Sequence, residues 1–302
     1  MGVWTRVPRG MRDRLTGVLP EWWWSWLHQL REIDVDREWQ GGAILRAAHP
    51  SLAAPTTGLA ALRAAELRVH SQNGEDGILA YLLDRIGPTT RDVVEFGIGD
   101  GTECCAANLV LTFGWSAHLL EANADDARAA AAFYAERAGD RVHVDHTAVE
   151  PDTVDALLSQ HVSPVFDLLS LDIDGNDYWV LEALGAVRPR VIVVEYNASF
   201  GPERSVTIPY TRGFDRYAAH ASGFYHGASV TALARLGQRK GYVLAGCDSR
   251  GTNAFLVDAG AASSAGIEAV SPAEAFAPLF ERAHLSVEEQ FRQIAHLPLA
   301  EV

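Results

Sequence analysis

A chain of 302 residues with 48% apolar content is long enough for one large domain, or one domain with appendages, around a sizeable core. Its formal net charge of −14 excludes a nucleic-acid polyanion as the main partner, because binding one needs a basic surface. No stretch is long and apolar enough for a transmembrane segment, and three cysteines without metal spacing fit a reducing, cytoplasmic context.

Residues 1–65 are expected to form an N-terminal helical extension. Trp23, Trp26, Leu27 and Leu30 recur at helical spacing, opposite His28, Arg31 and Glu32. Such tryptophans suit packing on the main domain or a homo-oligomer contact; a lid or a membrane-surface patch is the sharper alternative. Pro20, Glu21 and Ser25 interrupt the apolar run, which argues against a signal peptide. Pro50, Pro55 and Thr56-Thr57-Gly58 mark a loop before a short helix leading to Val69.

From Ser71 onward helices and strands alternate. Helices over 75–85, 103–113, 124–137, 151–160 and 177–186 separate strands over 92–96, 116–121, 142–148, 166–172 and 190–196. A long connection (201–227) precedes a helix near 230–239 and strands 242–247 and 253–258, with Gly251-Thr252-Asn253 as a tight reversal. This order predicts an α/β, Rossmann-like fold: a seven-stranded, mostly parallel sheet whose last strand is antiparallel. The expected organisation is an extension over 1–65, a ligand-binding domain over 66–260 and a C-terminal helical tail over 261–302.

The first strand runs into Glu95 and then Gly97, Gly99 and Gly101, with Asp100 inside the turn. Glycine lets backbone pass close to a ligand. The next strand ends in Glu121 and Ala122; a carboxylate there can accept hydrogen bonds from both hydroxyls of a ribose. The spacing is E-x-G-x-G-x-G rather than G-x-G-x-x-G, and Asp100 would repel a pyrophosphate. The pair points to S-adenosylmethionine, which carries no phosphate and has a cationic sulfur. Gln72, in SQNGEDG before the first strand, is a candidate to close over it; otherwise that segment is a helix start with Ser71 or Asn73 as cap.

Ligands in open α/β sheets bind beyond the carboxyl ends of the strands. Strand four ends in Asp172, Asp174, Asn176 and Asp177, and strand five in Glu195 and Asn197. So many carboxylates require a cation: the sulfonium, a divalent metal, or arginines such as Arg204 and Arg212. Asp172, Glu195 and Asn197 offer three hard oxygen ligands to Mg²⁺. The bland alternative is a turn in which Asn176 or Asp177 caps the next helix. Asp174 and His226 are the candidate general bases, and Asp172 the candidate to orient the acceptor.

These motifs resemble the FkbM-type methyltransferases: SQNGED at 71–76, EFGIGDG at 95–101, GW at 114–115, LLEA at 119–122, LLSLDIDGNDYWVLEAL at 168–184 and VVEYNASFGP at 193–202. The likeness spans roughly 70–258. It implies S-adenosylmethionine-dependent transfer to a hydroxyl of a sugar or natural product, with Gly97, Gly99, Gly101 and Glu121 as cofactor residues. ECCAAN after the glycine turn departs from the asparagine–threonine pair frequent there, and the Trp-rich arm has no counterpart. The rivals are metal-independent transfer to nitrogen or carbon, a non-catalytic nucleoside-binding scaffold, and a nicotinamide enzyme, which the glycine spacing disfavours.

Overall fold

The computed structural model describes Gly41, Gly42 and Ile44, which are helical, and residues 57–302. The chain divides into two units, Met1–Pro55 and Thr56–Val302. The tryptophans of the N-terminal arm, and the roles expected of them, lie outside the described residues. Everything below concerns the second unit.

Chain order is α1 (Gly58–Ala64), α2 (Glu75–Ile86), β1 (Asp92–Phe96), α3 (Cys105–Leu111), β2 (Ser116–Glu121), α4 (Ala124–Arg137), β3 (Val142–His146), α5 (Val154–Ser159), β4 (Val165–Leu171), α6 (Asp177–Ala183) and β5 (Arg188–Glu195). Then follow β6 (Val206–Thr207), α7 (Arg216–Ala219), α8 (Val230–Arg239), β7 (Tyr242–Cys247), β8 (Asn253–Asp258), α9 (Ala259–Ala265), α10 (Pro272–Ala275), α11 (Val287–Ile294) and β9 (Ala300–Glu301).

Seven strands form one sheet in the order β3-β2-β1-β4-β5-β8-β7. β1 to β5 are mutually parallel, and β8, the last of the seven in the chain, runs antiparallel to both β5 and β7. The reversed strand is internal, and the edge is left to β7. Side chains alternate between two cores, as a pleat requires: Val93, Leu168, Val191 and Val193 pack on one face, and Val94, Leu169, Ile192 and Val194 on the other. Both faces are covered, which is why these strands read as unbroken apolar runs.

Connections to either side of β1 and β4 run in opposite directions across the sheet, so a crevice opens beyond the carboxyl ends of this pair. The expected tail is not helical throughout. Residues 259–302 hold three short helices and then β9, which pairs antiparallel with β6 in a separate two-stranded sheet. Their core joins Phe200, Val206, Ile208, Phe224, Tyr225 and Ile294, so this segment buttresses the connection after β5. Among the described residues no helix is long and apolar enough to cross a membrane.

Candidate functional site

Two hollows meet in that crevice. The larger, about 590 Å³, is lined in part by Gly97, Gly99, Ala122, Asn176 and Phe214, with carboxylates from Glu121, Asp126, Glu150, Asp172, Asp174 and Asp215. The smaller, about 290 Å³, takes in Gln72, Glu75, Glu95, Gly97, Gly99, Ser170 and Asp172. Gly97, Gly99 and Asp172 line both, making one continuous cleft. Among the described residues no lysine, arginine or histidine lines either lobe. Such a cleft repels a phosphate-bearing nucleotide and suits a cation.

The glycine turn is built by close approach. Gly97 has φ +77°, and a Cβ there would stand 1.6 Å from the Asp172 carbonyl oxygen, so only glycine lets β1 and β4 part at this point. Gly99, at φ +55°, would meet nothing within 4 Å and borders the open cleft. Gly101 differs from the expectation. A Cβ would strike Ala130 and Tyr134 of α4, and its carbonyl accepts the Tyr134 hydroxyl at 2.8 Å. It is a packing glycine, and it lines neither lobe.

Glu121 accepts the amides of Gly99 at 2.8 Å and Asn123 at 2.7 Å, one on each carboxylate oxygen. Each oxygen keeps a lone pair, so the group can still accept two hydroxyls. Glu95 is engaged otherwise: its carboxylate takes the amides of Cys105 at 2.9 Å and Ala106 at 2.7 Å at the start of α3, plus the Ser170 hydroxyl at 3.1 Å. Burial pushes its pKa up despite these donors. Its structural work is to hold α3 beneath the turn. Gln72 is exposed on the smaller lobe. It sits in a loop fastened by Asp76, which accepts the amides of Val69, His70 and Ser71, and α2 begins from Gly74 rather than from a Ser71 or Asn73 cap.

Asp172, Asp174, Glu195 and His226 converge beside the cleft, around Arg216. Arg216 forms an ion pair with Asp174, its Nη1 lies 4.0 Å from Glu195, and its Nη2 donates to His226 Nε2 at 3.1 Å and to the Gly223 carbonyl at 3.1 Å. His226 Nδ1 faces Glu195 Oε2 across 3.4 Å. Arg282 donates to the same Gly223 carbonyl at 3.2 Å and to Ser199 Oγ at 3.0 Å. The cations answering these acids are therefore Arg216 and Arg282. Arg212 instead pairs with Asp152, and Arg204 with Glu288. Arg282 left no trace in the strand-end pattern because it arrives from 87 residues past Glu195.

Burial works to raise Glu195, but His226, Arg216 and Arg282 together hold it below the usual carboxylate range. Asp172 goes the other way: burial first, then the charge of Glu195, push it well above that range. Its carboxylate accepts no hydrogen bond from the described residues, and it opens on both lobes. Asp177 is withdrawn into the β4–α6 turn, where it accepts the amides of Ile173 and Gly175 at 2.9 Å each. Asp174 adopts a left-handed φ of +56° that turns it toward Arg216.

The expected Mg²⁺ set does not assemble. Asn197 is buried with its Nδ2 donating to the carbonyls of Phe224 at 2.6 Å and His226 at 2.8 Å, while its Oδ1 accepts the Ser199 amide at 2.9 Å. That side chain folds the loop and has no free oxygen to turn toward Asp172. Asp174, Glu195 and His226 do bring ligand atoms within 4.8 Å of one another, but the Arg216 guanidinium already bonds into that cluster. A divalent ion would have to displace it.

The segment before α7 walls the larger lobe. Tyr210 donates to Glu150 at 3.1 Å, the Gly213 amide donates to Glu150 at 3.2 Å, and Asn176 donates to the Thr211 carbonyl at 2.9 Å. Phe214 packs against Gly175, where no side chain would fit.

A sequence model described as the methyltransferase FkbM domain matches residues 79–242. No curated protein matches the chain. Among solved structures it is similar to an O-methyltransferase from Bacillus cereus in complex with SAH (18% identity, 73% of this chain and 90% of that one, TM-score 0.37). It is also similar to the N-terminal domain of EvdMO1 in the presence of SAH and D-fucose (13%, 61% and 80%, TM-score 0.39) and to magnesium protoporphyrin IX methyltransferase from Synechocystis PCC 6803 with bound SAM (11%, 60% and 76%, TM-score 0.37).

Proposed function

Because the chain belongs to the FkbM methyltransferase family and is thus an S-adenosylmethionine-dependent methyltransferase, we propose that it methylates a hydroxyl of a sugar or natural product. In this reading Asp172 accepts the proton and no divalent metal takes part. The observation that carries it is the unpartnered carboxylate of Asp172 on both lobes of a cleft without basic lining.

Bound S-adenosylmethionine supplies an electrophilic methyl on a cationic sulfur. Glu121 would hold the ribose hydroxyls, and Gly97 and Gly99 would admit the remainder of the cofactor against bare backbone. Methyl transfer is an in-line displacement: the C–O bond forms as the S–C bond breaks, and the hydroxyl proton passes to Asp172. Burial and Glu195 keep Asp172 protonated further up the pH scale than an ordinary carboxylate. A cation beside it favours the ionised form. A cofactor sulfonium held in the cleft would thus favour Asp172 as the base. Arg216, tied to Asp174 and His226, supplies the fixed positive charge that a metal would otherwise provide.

An amine acceptor is the second reading, supported by the six carboxylates of the larger lobe. Incubating the enzyme with S-adenosylmethionine and matched hydroxyl and amine acceptors, with and without EDTA, tests both. Methylated hydroxyl products that survive EDTA support the proposal. Products on nitrogen alone, or loss of all transfer on chelation with recovery by Mg²⁺, would refute it.

A further inference from the structure

At the opposite, amino-terminal end of the strands, His118 of β2, His143 of β3 and His161 of the α5–β4 connection come together around a hollow of about 180 Å³. One ring nitrogen of each lies within 4.8 Å of one of each of the others. The rings are in contact, with centroids 4.3 Å apart for His118 and His161 and 5.5 Å for the stacked pair His143 and His161. Neither the methyl-transfer cleft nor the packing of the sheet accounts for three imidazoles gathered here.

We propose that this cluster binds a divalent transition-metal ion of the Zn²⁺ class. Asp145 makes the argument chemical. It accepts from His118 Nε2 at 2.7 Å and from His143 Nε2 at 2.9 Å. An ionised carboxylate only accepts, so both rings carry their proton on Nε2, and each neutral ring keeps a lone pair on Nδ1. A carboxylate bonded to the far nitrogen of a histidine is how proteins orient imidazole for a metal. His118 supplies the independent observation: its side chain is 4% exposed, and its Nδ1 is buried without a hydrogen-bond partner. A buried lone pair left unsatisfied is costly, and a metal ion would satisfy it.

Three nitrogens suit Zn²⁺, Ni²⁺ or Cu²⁺, whereas Mg²⁺ and Ca²⁺ require oxygen. Binding at the usual ~2.1 Å would draw the nitrogens to about 3.4 Å apart. His143 and His161 are exposed, so their side chains would be the ones to move inward around the ion. Asp92 and Asp140 also line the hollow, and Arg141 there is turned away, donating to the carbonyls of Val110 and Trp115. Such an ion would tie β2, β3 and the α5–β4 connection together, a structural role remote from the chemistry.

The test is calorimetry of the purified, EDTA-stripped full chain with Zn²⁺ alone, paired with thermal unfolding and the visible spectrum of Co²⁺. The expected result is one ion per chain, a raised Tm and tetrahedral Co²⁺ bands. In His161→Ala and His143→Ala affinity should fall at least about tenfold, while methyl transfer and circular dichroism are unchanged. His226→Gln should bind Zn²⁺ like the wild type, which separates this cluster from the one around Arg216. Binding of less than half an ion per chain, or equal binding by the His143→Ala/His161→Ala double variant, would overturn the proposal.

Discussion

Arg216 donates from Nη2 to Nε2 of His226 across 3.1 Å, and this one bond decides the imidazole's tautomer. A guanidinium has no lone pair to offer, so Nε2 must accept, and the neutral ring then carries its proton on Nδ1, toward Glu195. With Nε2 taken by Arg216, Nδ1 buried against Glu195 without a hydrogen bond, and the side chain lining neither lobe, His226 is not placed to take a proton from an acceptor in the cleft. Its part is to hold Glu195 ionised behind Asp172.

That role predicts a graded defect for His226→Gln. Without the imidazole, Glu195 loses the Nδ1–H that faces it and keeps only Arg216 and Arg282 to hold it ionised, so its charge presses less on Asp172. A less basic Asp172 takes the proton more slowly once ionised, so the rate on the alkaline plateau should drop by up to about tenfold, equivalent to ~1.4 kcal/mol of barrier. The acid limb of the pH–rate profile should move to lower pH, a displacement that a merely structural defect would not produce. Steady-state kinetics across pH 5–9 checks both.

Two neighbouring glycines should fail in different ways. Gly97→Ala drives a Cβ into the Asp172 carbonyl oxygen and should destabilise the fold well beyond the ~1–2 kcal/mol of a left-handed alanine. Gly99→Ala has open space around it and should cost only about that ~1–2 kcal/mol. Its methyl group nevertheless enters the cleft, so affinity for S-adenosylmethionine should fall at least tenfold, by about 1.4 kcal/mol or more. Urea unfolding and calorimetry on the pair separate the two effects.

Stability should decline as pH rises from mildly acidic to mildly alkaline. Burial, then Glu195, pushes Asp177 up to about 7, and burial, then Glu75, pushes Asp248 up to about 8. An unfolded aspartate titrates near 3.9. Between that value and the folded ones the native state binds more protons than the unfolded chain, so this contribution is complete below about 3.9 and is lost through pH 7–8. Asp248→Asn keeps one oxygen for the amides of Arg250 and Thr252 but sets its NH2 against the Asn253 amide, so it should lower stability at pH 6 and flatten the slope. Thermal unfolding at pH 6 and pH 8.5 measures it.

The sheet was legible because buried parallel strands are apolar runs ending in polar residues, and that pattern is local. β1, β2, α4, α8, β7 and β8 fall where the periodicity puts them. The positions of Asp172, Glu195 and Glu121 at strand ends were legible for the same reason. What each side chain does there was not, because it depends on residues distant in sequence. Asp174 is engaged by Arg216, 42 residues later, and Asn197 by carbonyls 27 and 29 residues later. Glu95 resembles a ligand-binding acid until α3 folds and points two amides at it. The histidine cluster follows no spacing rule, since its members reside on separate elements that only the sheet brings together.

The account turns most directly on Asp172→Asn, measured in the presence of EDTA for turnover and for S-adenosylmethionine affinity. Removing a general base should reduce kcat by about 10²–10⁴-fold and abolish the acid limb, while cofactor affinity stays within about threefold of the wild type. A variant that turns over at near wild-type rate, or a wild-type enzyme silent in EDTA and revived by Mg²⁺, would contradict it.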